Sequence, residues 1–247
     1  MNSDEKLRDA EIRTENKLLL RLDNFWYHYK WVTIVVAFFV IVFLFCTLQM
    51  CGNEKEDINI LYAGPIQLSA DEASSLSNVM EFVMPSDFDE NGEKSAEIIN
   101  YQIYSKEQIE KIEAQTDEFE IAGYVDRSHN SKNYDDFYNY IQTGDTSICF
   151  LDPWLYEDIK SKDRFIKLSD ALGYQPEGAL DEYGIKLCDT ALYDSYGAMK
   201  VLPEDTVVCL LRPLVVGKSR KEEMYAREKE MFAAIVEFNS DDSSDEK

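Results

Sequence analysis

From Trp31 to Leu48 eighteen consecutive positions carry no charge, and only Thr33 and Thr47 among them bear a hydroxyl. As a helix rising 1.5 Å per residue, the run is about 27 Å long, close to the roughly 30 Å hydrocarbon core of a bilayer. Phe25, Trp26, Tyr27, His28, Tyr29, Lys30 and Trp31 collar it on the amino-terminal side. Such rings suit the headgroup layer, where a lysine can reach outward to water. The run exceeds the apolar region of a cleaved export signal, and Met50 before Cys51 is bulkier than the small residue a cleavage site places there. A core helix of a soluble fold would need a much larger domain to cover a cylinder apolar on every side. The expectation is a permanent span over residues 31–50.

Beyond a linker at 51–57 the pattern shortens and alternates. Ile58 to Pro65 (INILYAGP) reads as an apolar strand stopped by Gly-Pro. Ser69 with Glu72 forms a capping box ahead of Ala73, Leu76, Val79, Met80, Val83 and Met84 at helical spacing. EIINYQIYS, 97–105, alternates as a second strand, and KEQIEKIEAQ adds a helical turn or two. FEIAGYVD, 119–126, reads as a strand or a connection. NYDDFYNYIQTGD places Tyr134, Phe137, Tyr138 and Ile141 on one helix face with Gly144 just past its end. SICFLD, 147–152, is a continuous apolar run of the kind covered on both faces. PWLYEDIKS starts a helix at Pro153. RFIKLSDAL, YGIKLCDTALYDS and DTVVCLLRPLVV are further strand candidates, and residues 218–238 form a closing helix. Strands alternating with helices imply parallel crossovers, hence an α/β sheet over 58–238 with a solvated acidic end at 239–247.

Charge adds an orientation. Arg13, Lys17, Arg21 and Lys30 precede the span, whereas Lys55 alone lies close after it, so residues 1–30 are expected in the cytoplasm and the domain outside. The tail itself, with Leu7, Ile12, Leu18, Leu19, Leu20 and Leu22 among charges, suits an amphipathic helix on the inner leaflet or the start of a helix continuous with the span. It holds six basic and six acidic residues, so the formal charge of −23 falls beyond Lys30, on 19 basic against 42 acidic residues. That excess excludes nucleic acid as a natural partner; it keeps an exposed domain soluble and would favour cationic ligands.

Cys149, Cys188 and Cys209 each sit beside large apolar residues, where cysteine behaves as a small hydrophobe, so no disulfide scaffold is expected. An exported domain without evident bridges suits a bacterium. With His28 and His129 the only histidines and no C-x-x-C, no metal centre and no cofactor are expected. Asp87, Asp89, Asn91 and Gly92 match the first positions of a calcium loop, but position 12 is Ile98 and Glu97 falls one residue early, so a polar Asx-type turn is the better reading. Motifs of nucleophilic, phosphate-binding, dinucleotide or zinc enzymes do not occur, and no catalytic residues are expected.

The order of elements in YNYIQTGDTSICFLDPWLYEDIKSKDRFIKLSDAL resembles a block of bacterial extracellular solute-binding proteins, the receptors of ABC importers. Its parts here are the helix Tyr138 to Ile141, Gly144-Asp145, the strand Ile148 to Leu151, the helix from Pro153 to Ile159 and the closing segment Leu168 to Leu172. The resemblance implies one lobe of a periplasmic-binding-protein-like α/β sheet with flanking helices, since about 190 residues do not make two lobes. In parallel α/β sheets ligands sit beyond the carboxyl ends of strands. Four residues at that edge are candidates: Gly64 for close backbone approach, Asp152 as an acceptor, and Trp154 or Tyr156 as a stacking ring. Asp152 equally suits an N-cap, and Trp154 a core or lid residue. The expected role is a membrane-anchored interaction or scaffolding subunit, with a tethered solute or peptide receptor as the alternative. The expected partners are the lipid bilayer through residues 31–50, with another membrane protein or a small solute.

Overall fold

In the computed structural model, residues 25–46, 56–115, 125–213 and 220–239 are described. The amphipathic tail reading, residues 51–55 of the linker with Cys51, most of 119–126 and nearly all of the acidic end lie outside them. The chain divides into a unit ending at Lys55 and a second unit from Glu56. In the first, helix α1 (Phe25–Cys46) is 22 residues long, with a mean hydropathy of 2.4 over its most apolar stretch and none of that stretch buried. It is long and apolar enough to cross a membrane, and Phe25 to Trp31 are helical, so the aromatic collar belongs to the helix itself.

The second unit is built around β1 (Ile58–Gly64), β2 (Ala96–Gln102), β3 (Ile148–Leu151), β4 (Gly184–Lys186) and β5 (Val207–Leu210), in the spatial order β2-β1-β3-β5-β4. β1 lies parallel to both β2 and β3, with Tyr62 opposite Asn100 on one side and Phe150 on the other. β5 runs antiparallel to β3 and β4, so the sheet is mixed. The expectation of parallel strands holds for the first three, β4 shares their direction, and β5 alone runs against them. β5 is reached from β4 through two 3-10 turns and a five-residue helix between them.

Alternation along the strands sorts two cores. Ile60, Tyr62, Ile148, Phe150, Val208 and Leu210 face one side, where α2 (Ala70–Val83) and α8 (Arg220–Val236) supply Leu76, Met80, Met231 and Phe232. Leu61, Ala63, Cys149, Leu151, Val207 and Cys209 face the other. There α4 (Arg127–Thr143) and α5 (Pro153–Ser161) contribute Phe137, Ile141, Leu155 and Ile159. Every residue of β3 and β5 is buried, as strands covered on both faces must be.

The local signals act as expected. Ser69 and Glu72 close a reciprocal capping box on α2, and Gly144, in the left-handed region at φ 66°, ends α4. α3 (Lys106–Gln115) is a full ten-residue helix, longer than the turn or two expected. RFIKLSDAL is not a strand: Phe165 makes one bridge to Leu211, after which α6 (Leu168–Leu172) forms and stops at Gly173. YGIKLCDTALYDS divides into β4, a 3-10 turn and α7 (Ala191–Ser195), capped by Thr190.

Candidate functional site

The parallel strands β1 and β3 end at one edge, as the order of elements required. There Asp152 N–H donates to the Ala63 carbonyl at 2.8 Å, and Ile103 N–H to the Gly64 carbonyl at 2.7 Å. β5, running the other way, begins at this edge, which brings Asp205 in as well.

Each candidate residue has work inside the fold. At Gly64 the space a side chain would fill is taken by the Tyr62 hydroxyl, 2.7 Å from an ideal Cβ; that hydroxyl accepts the Ile66 N–H at 3.3 Å. The close approach that glycine permits is thus made by the chain itself. Asp152 is 6 % exposed. Its Oδ1 accepts the Trp154 N–H at 3.1 Å, capping α5, and its Oδ2 accepts from the Gln108 amide at 2.9 Å. Burial pushes the Asp152 carboxyl up, with Asp205 adding to the effect and the Gln108 and Trp154 bonds opposing it.

Trp154 is half-buried and stacks on Tyr134, centroids 6.1 Å apart at 19°. Its indole nitrogen is buried without a hydrogen-bond partner. Tyr134 in turn donates to Asp158, and Lys162 lies over the Tyr138 ring at 4.5 Å. Tyr156 corrects the expectation for a stacking ring. It is fully buried, stacked on Phe165 at 5.1 Å, with its hydroxyl donating to Asp181 at 2.6 Å, so neither ring face is open to a solute. Burial, more than the bond to Asp181, drives its phenol far upward.

Sequence reasoning did not single out Gln108, Asp205 or Tyr62. Gln108 was findable. Ser105 and Gln108 form a capping box on α3, with Ser105 N–H donating to the Gln108 amide oxygen at 2.7 Å while the amide nitrogen reaches Asp152. Asp205 was not, because its proximity depends on the antiparallel return of β5.

At the opposite edge the Asp87 to Gly92 loop is the Asx-type turn expected. Asp87 accepts the Glu90 and Gly92 N–H groups, and the Gly92 bond, with lesser help from the others, holds its carboxyl below the usual value. Asp57 comes from 30 residues upstream, so that carboxylate oxygens of Asp57, Asp87 and Asp89 lie within 4.8 Å of one another. The Asp57 oxygens accept from Asp89 and Ser95 N–H groups, and those of Asp89 from Asn91. Backbone and amide donors thus offset the crowding of negative charge.

No protein-family model matches the chain, and comparisons with curated proteins and with solved structures find no match. The likeness to solute-binding receptors therefore rests on the order of sequence elements alone.

Proposed function

We propose that the protein is a single-pass membrane protein, anchored through α1 with its amino terminus in the cytoplasm, whose α/β unit acts outside as an interaction or scaffolding subunit without catalytic chemistry. The observation that carries this reading is the use made of the carboxyl edge. Gly64, Asp152 and Tyr156, the groups a solute would need, are engaged by Tyr62, by Gln108 with the start of α5, and by Asp181. A site whose polar groups already have partners gains little from a ligand that must first displace them.

A receptor role for a solute or peptide is the second reading, favoured by the buried, partnerless indole nitrogen of Trp154, whose backbone N–H is bonded to Asp152 after β3. Thermal unfolding of the full chain in nanodiscs separates the two. A ligand that binds the native state stabilises by RT ln(1 + [L]/Kd), about 2.7 kcal/mol at a hundredfold excess over Kd. The expected result is no saturable rise in Tm across amino acids, sugars, polyamines and short peptides at millimolar concentration. A saturable rise that is lost in Trp154→Ala would replace the scaffold reading with the receptor. The anchored topology is tested separately: protease added to intact cells should digest the α/β unit and spare the amino-terminal tail.

A further inference from the structure

Of the carboxylates on α8, Glu222, Glu223 and Glu230 are exposed, but Glu228 is only 2 % exposed. Its Oε1 accepts the Ser147 N–H at 2.9 Å, joining α8 to the start of β3 across 81 residues of sequence. Its Oε2 is buried without a hydrogen-bond partner, and the Tyr225 hydroxyl, one turn earlier on the same helix, is in the same condition. Both residues line a cavity of about 20 Å³ whose wall includes Ser147, Arg164 and Arg212. About 10–15 Å³ suffices for one water, so a single molecule could bridge the two orphaned oxygens.

Among the described residues no cation pairs with Glu228, and the two arginines in the cavity wall bond elsewhere. Arg164 is bonded to Gln142 and the Ile141 carbonyl, and Arg212 to Asp163 and the Phe165 carbonyl. From the turn before β3, Asp145 repels it; Cys149 on β3 is the next titratable group it acts on. From α6 the contact is the Asp170 carbonyl, which is taken by Lys229. A carboxylic acid fits such a place far better than a carboxylate, because it carries no charge to desolvate and can donate as well as accept.

We propose that α8 is docked on β3 by the protonated form of Glu228, and that loss of this proton releases the amino-terminal half of the helix while Met231, Phe232 and Ile235 keep its carboxyl-terminal half seated. Those three side chains are fully buried in the core, whereas Glu222, Glu223 and Ala226 ahead of Glu228 are exposed. The helix therefore has a firmly held end and an end held more lightly, by Glu228 and the half-buried Met224 and Tyr225. Burial, opposed by the Ser147 bonds and the Thr146 hydroxyl and reinforced by Asp145, pushes the Glu228 carboxyl up to about 7, from an ordinary value of 4.5. A group raised in this way favours docking fully below about pH 4.5, and that contribution is lost as pH rises through about 7. Between these limits the undocking constant grows about tenfold per pH unit, then levels off.

The test is hydrogen exchange of the full chain in nanodiscs between pH 5 and pH 8.5, with rates corrected for intrinsic exchange. The expected result is that protection over residues 222–228 and at Ser147 falls about tenfold per pH unit from about pH 5 to pH 7 and then stays level. Over the same range β1 keeps its protection, and Glu228→Gln, which cannot ionise, shows no such fall at either place. Equal slopes in the wild type and the variant would overturn the proposal, as would a loss that spreads equally to β1. Should Glu228→Gln fail to fold, the Glu228 carboxyl of the wild-type chain is followed by carbon NMR. A midpoint near 7 upholds the proposal, and one below 5 overturns it.

Discussion

Gly184 shows how one residue type can be dictated by packing rather than by backbone conformation. Its φ is not among the positive values, so freedom of rotation is not what it supplies. An ideal Cβ there would stand 2.6 Å from Val207 Cγ1 and 2.9 Å from Tyr156 Cε2. Tyr156 has no room to withdraw, since its ring is stacked on Phe165 and its hydroxyl is tied to Asp181. Gly184→Ala is therefore expected to cost about 1–3 kcal/mol in urea unfolding. Gly197→Ala, with nothing within 4 Å of its Cβ, should stay within about 0.5 kcal/mol. Asp181 anchors this corner through Lys160 at 2.6 Å as well. Burial pushes its carboxyl up, but the Lys160 ammonium, the Tyr156 hydroxyl and the Tyr183 N–H together hold it below the usual value. Its contribution is thus present at neutral pH and lost as pH falls through the folded-state value, the opposite sense to Glu228. The burial of Tyr156 was legible in its spacing: with Leu155 and Ile159 it occupies the inward face of α5, three and four residues apart.

At the scale of elements, α3 is joined to α5 through one side chain that serves both. Gln108 caps α3 with its oxygen and holds Asp152 with its nitrogen. Gln108→Leu removes both bonds and leaves a buried carboxyl with one donor fewer, an expected loss of about 1–3 kcal/mol. Because the Gln108 bond lowers the Asp152 carboxyl against the effect of burial, its removal raises that carboxyl further. A raised value loses its stabilising share as pH increases, so the deficit should be larger in denaturation at pH 8 than at pH 5. The helices themselves were readable because caps and apolar spacing are local: Ser69 with Glu72, Asp152 before Pro153, and Gly144 after α4 all act as the sequence implies. The direction of β5 was not readable. A buried run such as VVCL shows the same period whichever way it enters a sheet, and its orientation is fixed by the path of the chain between Lys186 and Thr206. For the same reason Asp152 was legible as a cap, while the approach of Asp205 to it was hidden. The pairing of Asp57 with Asp89 and Ser95 likewise depends on contacts 32 and 38 residues apart.

Across the whole molecule the formal charge of −23 lies beyond Lys30, and the ion pairs that offset it are mostly exposed, such as Lys167 with Glu182 at 2.7 Å. Exposed pairs contribute little, and like charges within a screening length oppose compaction. The screening length shrinks from about 30 Å at 0.01 M salt to about 10 Å at 0.1 M. Raising sodium chloride from 0.01 to 0.3 M should therefore raise the Tm of the α/β unit in scanning calorimetry. A fall would mean that attractive pairs outweigh the repulsion. The strand order has a further outcome for how the molecule is made. Among the described residues β5 is the last strand in sequence, but it lies between β3 and β4, and α8 follows it. Until residue 210 has emerged, β3 offers an unsatisfied ladder edge to any neighbouring chain, a hazard that pairing with β5 removes. A polypeptide truncated before Val207 should accordingly be lost to self-association or degradation, however complete its first three strands.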